Sequence, residues 1–354
     1  SRLAGVHIVD LREELAEGNR SIFSRRLKGL IEDRLANRQQ VMLFMNRRGY
    51  AGFVSCRSCG KAMKCPHCDV SLTYHRNGRL KCHYCGFERP LPDRCPSCGS
   101  PFIAPFGTGT QKLEEFTKRE FPTARVLRMD ADTTAKKGAH EEILVTFAEG
   151  GADILIGTQM IVKGHDFENV TLVGVLNTDY MLYADDYRSY ERTFSLLTQV
   201  VGRSGRGASK GMAVIQSYTP DNLIISMAAR QDYLAFYSTE IQVRKAMLYP
   251  PFADICLIGF SGEKQQLTMK AANSFLQCFV SHARSEYPAM PLRILGPSPA
   301  NVVKVSNKFR YKLIIKCKNN RDFRGLLSAV MTEFGKNKEF GKVSTYADMN
   351  ALTF

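Results

Sequence analysis

The sequence predicts an α/β protein: a parallel sheet flanked by helices, interrupted by a small metal-binding module and followed by an α+β domain. Short apolar strands alternate with amphipathic helices up to residue 218, a pattern typical of parallel sheets covered on both faces. Four Cys-x-x-Cys pairs interrupt this pattern within residues 56–98. Two prolines at 250–251 then separate a second, shorter pattern of strands and helices.

The first pattern predicts one discontinuous lobe that comprises residues 1–53 and 103–219. It begins with a strand at 5–10, a helix at 21–37 and a strand at 41–45, whose run Val-Met-Leu-Phe-Met is typical of a strand buried on both faces. Beyond the cysteine pairs we expect helices at 111–120, 140–147 and 190–201 and strands at 125–129, 153–157, 170–176 and 211–218.

The cysteine pairs define an insert at 54–102, and residues 220–249 are expected to form a helical connector to a C-terminal domain at 250–354. In that domain we expect strands at 255–260, 292–295, 301–305, 311–316 and 342–346 and helices at 265–286 and 322–335. This order predicts a compact α+β domain.

The cysteine pairs supply eight thiols, enough for two tetrahedral zinc sites. The turn Asn77-Gly78 lies between two short strand-like runs and predicts a hairpin, which would bring the second and third pairs together. The first and fourth pairs would then share the other metal. We therefore predict one zinc bound by Cys65, Cys68, Cys82 and Cys85 and another bound by Cys56, Cys59, Cys95 and Cys98.

Disulfides, a redox-active pair and iron are the alternatives to zinc. Disulfide scaffolds are usually short secreted chains, whereas this chain has 354 residues and begins Ser-Arg-Leu-Ala-Gly without an apolar leader or an initiator methionine. No run approaches the roughly 18–20 apolar residues of a membrane span, so we expect a cytoplasmic protein. The missing initiator methionine leads us to expect a piece of a longer chain. The nearby His67, His75 and His83 are expected to be surface residues rather than ligands.

The formal net charge of +15 favours polyanionic partners such as nucleic acid. Residues 287–321 contain eight basic residues and no acidic residue, with Phe309 and Tyr311 between them as possible stacking platforms for bases. The alternative is a solvated strand face. The basic residues of this segment are Arg293, Lys304, Lys308, Arg310, Lys312, Lys316, Lys318 and Arg321.

A loop that follows the predicted strand at 153–157 is a candidate ligand-binding segment, because ligands bind at the carboxyl ends of parallel strands. In this loop Thr158, Gln159 and Lys163 could contact a phosphate backbone. Gly164 permits close approach of a ligand to the backbone, and Asp166 could accept a hydrogen bond from a ribose hydroxyl.

Two arginines, Arg203 and Arg206, follow the predicted helix at 190–201 in the stretch Gly-Arg-Ser-Gly-Arg-Gly. Guanidinium groups bind phosphate oxygens in a bidentate manner and can stabilise the charge on a transferred phosphoryl group. The alternative is that they complement the dipole at the end of the helix. Their position downstream of the Lys-Gly-His-Asp loop favours the functional interpretation.

These two stretches resemble the fifth and sixth helicase motifs of superfamily 2. Together with the Asn-Arg-Arg-Gly-Tyr-Ala stretch at 46–51, the four cysteine pairs and the Leu-Gly-Pro-Ser-Pro-Ala stretch at 295–300, they make the chain similar to the primosomal protein N′ family of replication-restart helicases. The similarity extends over essentially all 354 residues.

The resemblance implies that the lobe is the second RecA-like lobe of an ATP-dependent 3′→5′ DNA helicase that acts in primosome assembly at stalled forks. It implies catalytic roles for Arg203 and Arg206 at the γ-phosphate of ATP, with Gly164 and Asp166 near the nucleotide. The residues that it implies for DNA contact are Thr158, Gln159, Lys163, Lys304, Lys308, Arg310 and Lys312. The cofactors would be two structural Zn²⁺ ions and, in the longer protein, ATP and Mg²⁺. The partners would be forked or branched DNA, primosome proteins and the single-stranded DNA-binding protein.

The sequence departs from the family pattern in one respect. It contains neither Gly-x-x-x-x-Gly-Lys-Ser/Thr nor Asp-Glu-x-His, the motifs that hold the phosphates and Mg²⁺ in the first lobe of such enzymes. We therefore expect this chain alone to neither hydrolyse ATP nor unwind DNA. Two other classes stay open: a zinc-ribbon nucleic-acid-binding protein without a motor, and another superfamily 2 helicase with an unrelated zinc insert.

Overall fold

A computed structural model describes residues 5–45, 53–67, 70–75, 77–83, 85–105, 109–162, 167–184, 186–202 and 211–351. The chain divides into two compact units. The first comprises residues 1–63, 92–184 and 188–238, and the second comprises residues 64–91, 185–187 and 239–354. The segment that the sequence analysis treats as one insert therefore contributes to both units.

The strands and helices alternate much as the sequence predicts. The strands are β1 (Gly5–Asp10), β2 (Gln40–Met45), β3 (Val54–Cys56), β4 (Thr73–Tyr74), β5 (Arg79–Lys81), β6 (Glu88–Pro90), β7 (Ile103–Pro105), β8 (Val126–Met129), β9 (Ile154–Gly157), β10 (Val170–Leu176), β11 (Met212–Ser217), β12 (Asp254–Gly262), β13 (Arg293–Val305), β14 (Lys308–Cys317) and β15 (Ser344–Met349). The helices are α1 (Leu11–Ala16), α2 (Arg25–Ala36), α3 (Thr110–Glu120), α4 (Ala139–Ala148), α5 (Asp179–Leu182), α6 (Ser189–Val201), α7 (Leu223–Ala229), α8 (Tyr233–Met247), α9 (Gln265–Glu286) and α10 (Arg321–Gly335).

The first unit is built on a six-stranded sheet in the order β1-β11-β10-β2-β9-β8, in which every pairing is parallel. Alternate residues of the central strand β2 enter two different cores: Met42 and Phe44 pack on one face, and Val41 and Leu43 on the other. Helices α4 and α6 cover the first face, while α2 and α3 cover the second. This arrangement confirms the predicted doubly wound lobe.

The second unit contains a four-stranded antiparallel sheet in the order β13-β14-β12-β15, with α9 and α10 packed on one face. The two strands that we predicted at 292–295 and 301–305 are wrong, because both belong to the single strand β13. Its register shifts between Leu295 and Ser298 and again between Pro299 and Lys304. Pro297 and Pro299 lack the N–H donors of a regular strand ladder, so the sequence predicts a break between two strands. In the structure the strand continues through them.

Two small sheets form the cysteine-rich segment. In the first unit β3 pairs antiparallel with β7, and in the second unit β4, β5 and β6 form an antiparallel meander. The hairpin predicted at Asn77-Gly78 is confirmed: β4 pairs with β5, and Gly78, whose φ is 77°, donates its N–H to the carbonyl of His75 at 3.0 Å. Glycine adopts this left-handed conformation without a steric cost.

The longest helix, α9, has 22 residues and buries a stripe formed by Thr268, Ala271, Ala272, Phe275 and Phe279. Its remaining faces are polar enough to meet water. Within the described ranges, no helix combines the length and apolar character that crossing a membrane requires.

Gly157 ends β9 at a close approach of the chain to itself and should not tolerate a larger side chain. A Cβ atom there would lie 2.3 Å from Ile161 Cγ2 and 2.9 Å from the backbone oxygen of Met129. We expect Gly157→Ala to lower the free energy of unfolding by about 1–3 kcal/mol, since a buried backbone atom must move.

The matched control for this change is Gly29→Ala, in the exposed middle of α2, where an added Cβ would meet no atom within 4 Å. It should raise stability by up to about 1 kcal/mol through helix propensity. Urea unfolding followed by circular dichroism measures both variants. Equal behaviour of the two would show that the close approach at Gly157 does not constrain the fold.

Candidate functional site

The first cysteine cluster joins the two ends of the cysteine-rich segment. Its sulfur atoms, from Cys56, Cys59, Cys95 and Cys98, all lie within 4.8 Å of one another. The Sγ–Sγ distance is 3.6 Å for Cys56 and Cys98 and 3.7 Å for Cys59 and Cys95. Four thiolates bound to zinc at about 2.3 Å in a tetrahedron are separated by roughly 3.8 Å, so these sulfurs fit a zinc ion.

Backbone hydrogen bonds shape both cysteine pairs of the first cluster into the same tight turn. Cys56 accepts at its carbonyl from the N–H of Gly60 at 2.8 Å, and Cys95 accepts from Gly99 at 2.8 Å. Gly60 and Gly99 have φ angles of 74° and 69°, a region that glycine occupies at low cost. The glycine after the second cysteine therefore allows both sulfurs of a pair to point at one metal.

The thiols of the first cluster can ionise together only around a cation. Burial raises the pKa of Cys59 to about 12. Burial also acts on Cys95, but N–H groups of Ser97 and Cys98 donate to it and lower its pKa to about 7. Thiols this close cannot all ionise unless a positive ion balances them, and a bound zinc supplies that charge.

The second cysteine cluster lies in the second unit. The sulfur atoms of Cys65, Cys82 and Cys85 are within 4.8 Å of one another, with Cys65 and Cys85 3.6 Å apart. Cys68, which we predicted as the fourth ligand, lies outside the described residues. Cys65 donates its N–H to the carbonyl of Val70 and Cys82 to that of Phe87, both at 2.8 Å. The structure thus groups the described cysteines as the predicted pairing requires.

The sulfur distances in both clusters disfavour the disulfide alternative. A disulfide holds its sulfurs about 2.05 Å apart, whereas the closest sulfur pairs here are 3.6 Å apart. The cysteines of both clusters that the structure describes are free thiols.

From the sequence we expected His83 to be a surface residue. This prediction is wrong, because its side chain is buried within the second unit. Its Nε2 lies 3.3 Å from Nε2 of His75. Burial, together with the positive charge of Lys312, lowers the pKa of His83 to about 3, so the ring stays neutral. His83 therefore belongs to the packing between the cysteine segment and the C-terminal sheet.

The first cluster packs directly on the lobe, at the carboxyl end of β11. A Cβ atom on Gly60 would lie 2.1 Å from the carbonyl oxygen of Tyr218 and 2.6 Å from Thr219 Cγ2. On the same side, the ring of Phe53 contacts those of Tyr180 and Tyr183, with centroids 6.0 and 5.3 Å away. The turn that bears two candidate zinc ligands therefore packs against the lobe at the carboxyl end of β11.

The structure describes only part of the predicted motif segments. Thr158 and Gln159 follow β9 at the carboxyl edge of the parallel sheet and are half-buried. A short 3-10 turn at Gln159–Val162 packs against α6, the helix whose end at Gly202 directly precedes Arg203. Lys163, Gly164, Asp166, Arg203 and Arg206 lie outside the described residues, as does the Asn-Arg-Arg-Gly-Tyr-Ala stretch at 46–51.

Asp179 is a residue at this edge that the sequence analysis missed. Its buried carboxylate accepts hydrogen bonds from the hydroxyls of Ser217 and Thr219, at 3.0 and 2.8 Å, and from the N–H of Tyr218 at 2.9 Å. Burial raises the pKa of Asp179, and these donors oppose that shift. The signal in the sequence was an acid three residues beyond a buried strand, in Asn-Thr-Asp. Asp179 ties the ends of β10 and β11 together.

The basic segment of the C-terminal domain divides into an exposed and a buried part. Lys304 and Lys308 are exposed beside the turn between β13 and β14, and Arg310 is half-buried. We predicted that Lys312 contacts DNA. Its side chain is buried and donates to Oδ1 of Asn301 at 2.9 Å, so its ammonium is not exposed to a partner. Tyr311 is buried in the domain core and cannot stack on bases.

Comparison with known families gives three matches along the chain. Residues 103–208 match the helicase conserved C-terminal domain. Residues 65–90 match the PriA DNA helicase Cys-rich region domain, a zinc ribbon, and residues 245–348 match the primosomal protein N C-terminal domain. The parallel lobe and the first match place the chain in the class of helicases.

Within that class, the relatives are replication restart proteins. The chain is 46% identical over 346 residues to PriA of Bacillus subtilis (strain 168), covering 98% of this chain and 42% of that protein. It is 44% identical over 319 residues to PriA of Synechocystis sp., covering 89% of this chain and 38% of that protein. The chain belongs to the PriA family, and it spans about two fifths of the length of these curated relatives.

Several solved structures resemble the chain distantly. One of them is RecG bound to a three-way DNA junction, which is 11% identical with a TM-score of 0.33. The match covers 71% of this chain and 22% of the RecG chain. A likeness this low supports no conclusion about function.

Paired substitutions test which cysteines share a metal. We expect Cys56→Ser with Cys95→Ser to remove one zinc per chain, because both sulfurs belong to the same cluster. Cys56→Ser with Cys82→Ser should remove two, because each substitution opens a different tetrahedron. Inductively coupled plasma mass spectrometry of the purified variants measures the loss.

The control is Ser58→Ala, in the same turn as Cys56 but without a sulfur ligand, which should retain all of the metal. If the first pair of substitutions removed as much zinc as the second, the clusters would not be independent sites and the nested pairing would be wrong.

Proposed function

We propose that this chain is the carboxyl-terminal portion of an ATP-dependent 3′→5′ DNA helicase that acts in replication restart and primosome assembly at stalled forks. The observation that carries this proposal is the carboxyl edge of the parallel sheet. There the turn after β9, which the first motif segment includes, packs against α6, the helix that the second motif segment follows. The relatives, which are named replication restart proteins, support the biological role.

In the proposed mechanism Arg203 and Arg206 bind the γ-phosphate of ATP and stabilise the charge that develops on it during transfer. Gly164 and Asp166 contact the nucleotide beside them. The phosphate-binding lysine and the carboxylate that holds Mg²⁺ would come from a first lobe, since neither motif is present in this sequence. This chain alone therefore hydrolyses no ATP.

DNA would contact the chain at two places. Thr158 and Gln159, which follow β9, together with Lys163 would transmit movements of the nucleotide to a phosphate backbone. In the C-terminal domain the exposed turn with Lys304 and Lys308, next to Arg310, offers positive charge to forked or branched DNA. The net charge of +15 is consistent with both contacts.

Two Zn²⁺ ions would be structural, because four thiolates leave no open position for water or substrate. The first ion holds the turn at Gly60 against the lobe, and the second holds residues 64–91 in the second unit. Primosome proteins and the single-stranded DNA-binding protein are the proposed protein partners. The proposed location is the bacterial cytoplasm, at replication forks in the nucleoid.

Substitution of the two arginines tests the proposed ATP site in the longer protein that includes a first lobe. We expect Arg203→Ala or Arg206→Ala to lower the rate of DNA-stimulated ATP hydrolysis by about 10³-fold or more, because each removes charge stabilisation from the transferred phosphoryl group. A phosphate-release assay on forked DNA measures the rate.

Arg230→Ala is the matched control, since Arg230 is exposed at the end of α7 and belongs to neither motif. It should leave turnover unchanged. ATP hydrolysis by the 354-residue chain alone, or full activity of Arg203→Ala, would contradict the proposed division of the site between two lobes.

Removal of the exposed lysines tests the proposed DNA surface. Lys304→Ala with Lys308→Ala should weaken binding to forked DNA and reduce the slope of log affinity against log salt by about 2, because two phosphate contacts are lost. Fluorescence anisotropy over a salt series measures the slope.

The control pair is Lys338→Ala with Lys342→Ala, which removes the same charge from exposed positions elsewhere in the second unit. An equal loss from both pairs would mean that net charge rather than the turn binds DNA. Equal affinity of the unsubstituted chain for forked, single-stranded and duplex DNA would favour a plain nucleic-acid-binding module over a restart helicase.

A further inference from the structure

A third group of metal-ligating side chains lies in the C-terminal domain, apart from both cysteine clusters. Cys278 and His282 are one turn apart on α9, and Glu333 projects from the neighbouring helix α10. One ligand atom from each residue lies within 4.8 Å of the others. His282 Nε2 is 2.7 Å from Oε2 of Glu333.

The geometry around the histidine has the form of a metal ligand with an outer partner. In metal sites the ring nitrogen that does not bind the metal usually donates its N–H to a carboxylate, which fixes the tautomer and the orientation of the ring. Here Nδ1 of His282 lies 2.5 Å from Oε1 of Glu286, one turn further along α9. Nε2 is thereby turned towards Glu333.

We propose that Cys278, His282 and Glu333 form a further zinc site, with Glu286 as the outer partner of the histidine. A set of one sulfur, one nitrogen and one oxygen suits zinc better than Mg²⁺ or Ca²⁺, which select oxygen ligands. Three protein ligands leave a fourth position for water.

The site differs from the cysteine clusters in exposure and in ligand number. The side chain of Glu333 is 62% exposed and that of His282 is 20% exposed. A three-ligand site open to solvent binds zinc more weakly than a closed set of four thiolates, and its ion exchanges with the medium. Bound zinc would join α9 to α10, the two helices that cover one face of the C-terminal sheet.

The competing arrangement is a protonated histidine that bridges two carboxylates without a metal. Hydrogen bonds that the His282 ring donates to Glu333 and Glu286 raise the pKa of His282, and burial together with the charge of Glu333 raises the pKa of the Cys278 thiol to about 11. Zinc binding would release to solvent the thiol proton of Cys278 and the ring proton on Nε2 of His282. The ion and the protons therefore compete for the same atoms.

Zinc binding by the 354-residue chain at buffered free-zinc concentrations tests the proposal. We expect the unsubstituted chain to bind one equivalent more than Cys278→Ser or Glu333→Gln, whatever the occupancy of the cysteine clusters. Glu333 is exposed, so Glu333→Gln removes a ligand without disturbing the core. Glu286→Gln should retain the site with roughly 10–100-fold weaker affinity, because it removes only the outer partner.

His140→Gln, a histidine substitution in α4 of the other unit, is the matched control and should bind as the unsubstituted chain does. Co²⁺ added at a free-zinc concentration that fills the cysteine clusters but leaves the weaker three-ligand site empty provides a second readout: a thiolate-to-cobalt absorption band should form and should be lost in Cys278→Ser. Equal zinc content of the unsubstituted chain, Cys278→Ser and Glu333→Gln at every free-zinc concentration would overturn the proposal. A cobalt spectrum without the thiolate band would do the same.

Discussion

An insert in a parallel-sheet lobe must leave and re-enter the lobe at one place, and the first cysteine cluster provides this closure. β3 pairs with β7 so that Cys56 lies opposite Ile103, and the sulfurs of Cys56 and Cys98 are 3.6 Å apart. Because such a site hardly exists in an unfolded chain, the free energy of zinc binding becomes free energy of folding. The closed turn at Gly60 then fits against Tyr218 with no room for a side chain.

The parallel direction of the strands brings several distant segments of the chain to the same edge of the sheet. All six strands of the lobe point the same way, so segments that are distant in the sequence meet where the strands end. Gly157 lets the chain fold back after β9, and Asp179 holds the ends of β10 and β11 through buried hydrogen bonds. The cysteine turn packs at this edge too, which makes it a structural support of the parallel lobe as well as a candidate metal site.

In the second unit, burial decides which charges are available to a partner. Lys312 and Lys316 alternate along β14 on the face opposite α9 and α10, where a sequence pattern would indicate a solvated surface. That face is covered: Lys316 donates to the carbonyl of Met247 at 2.7 Å and lies over the ring of Tyr249. The exposed charge is displaced to the turn between β13 and β14, at Lys304 and Lys308.

The sequence by itself determined the order of the elements, the doubly wound lobe and the grouping of cysteines, because these depend on local periodicity, turn chemistry and spacing. The hairpin at Asn77-Gly78 is predictable because the Asn-Gly pair itself favours a tight turn. The strand β13 is predicted as two strands because its prolines are typical of a loop. Only the tertiary structure decided that Lys312 and His83 are buried, that Asp179 joins two strands and that Glu333 meets His282. These facts depend on packing between residues far apart in the chain, and burial by a distant segment leaves no mark on the local pattern.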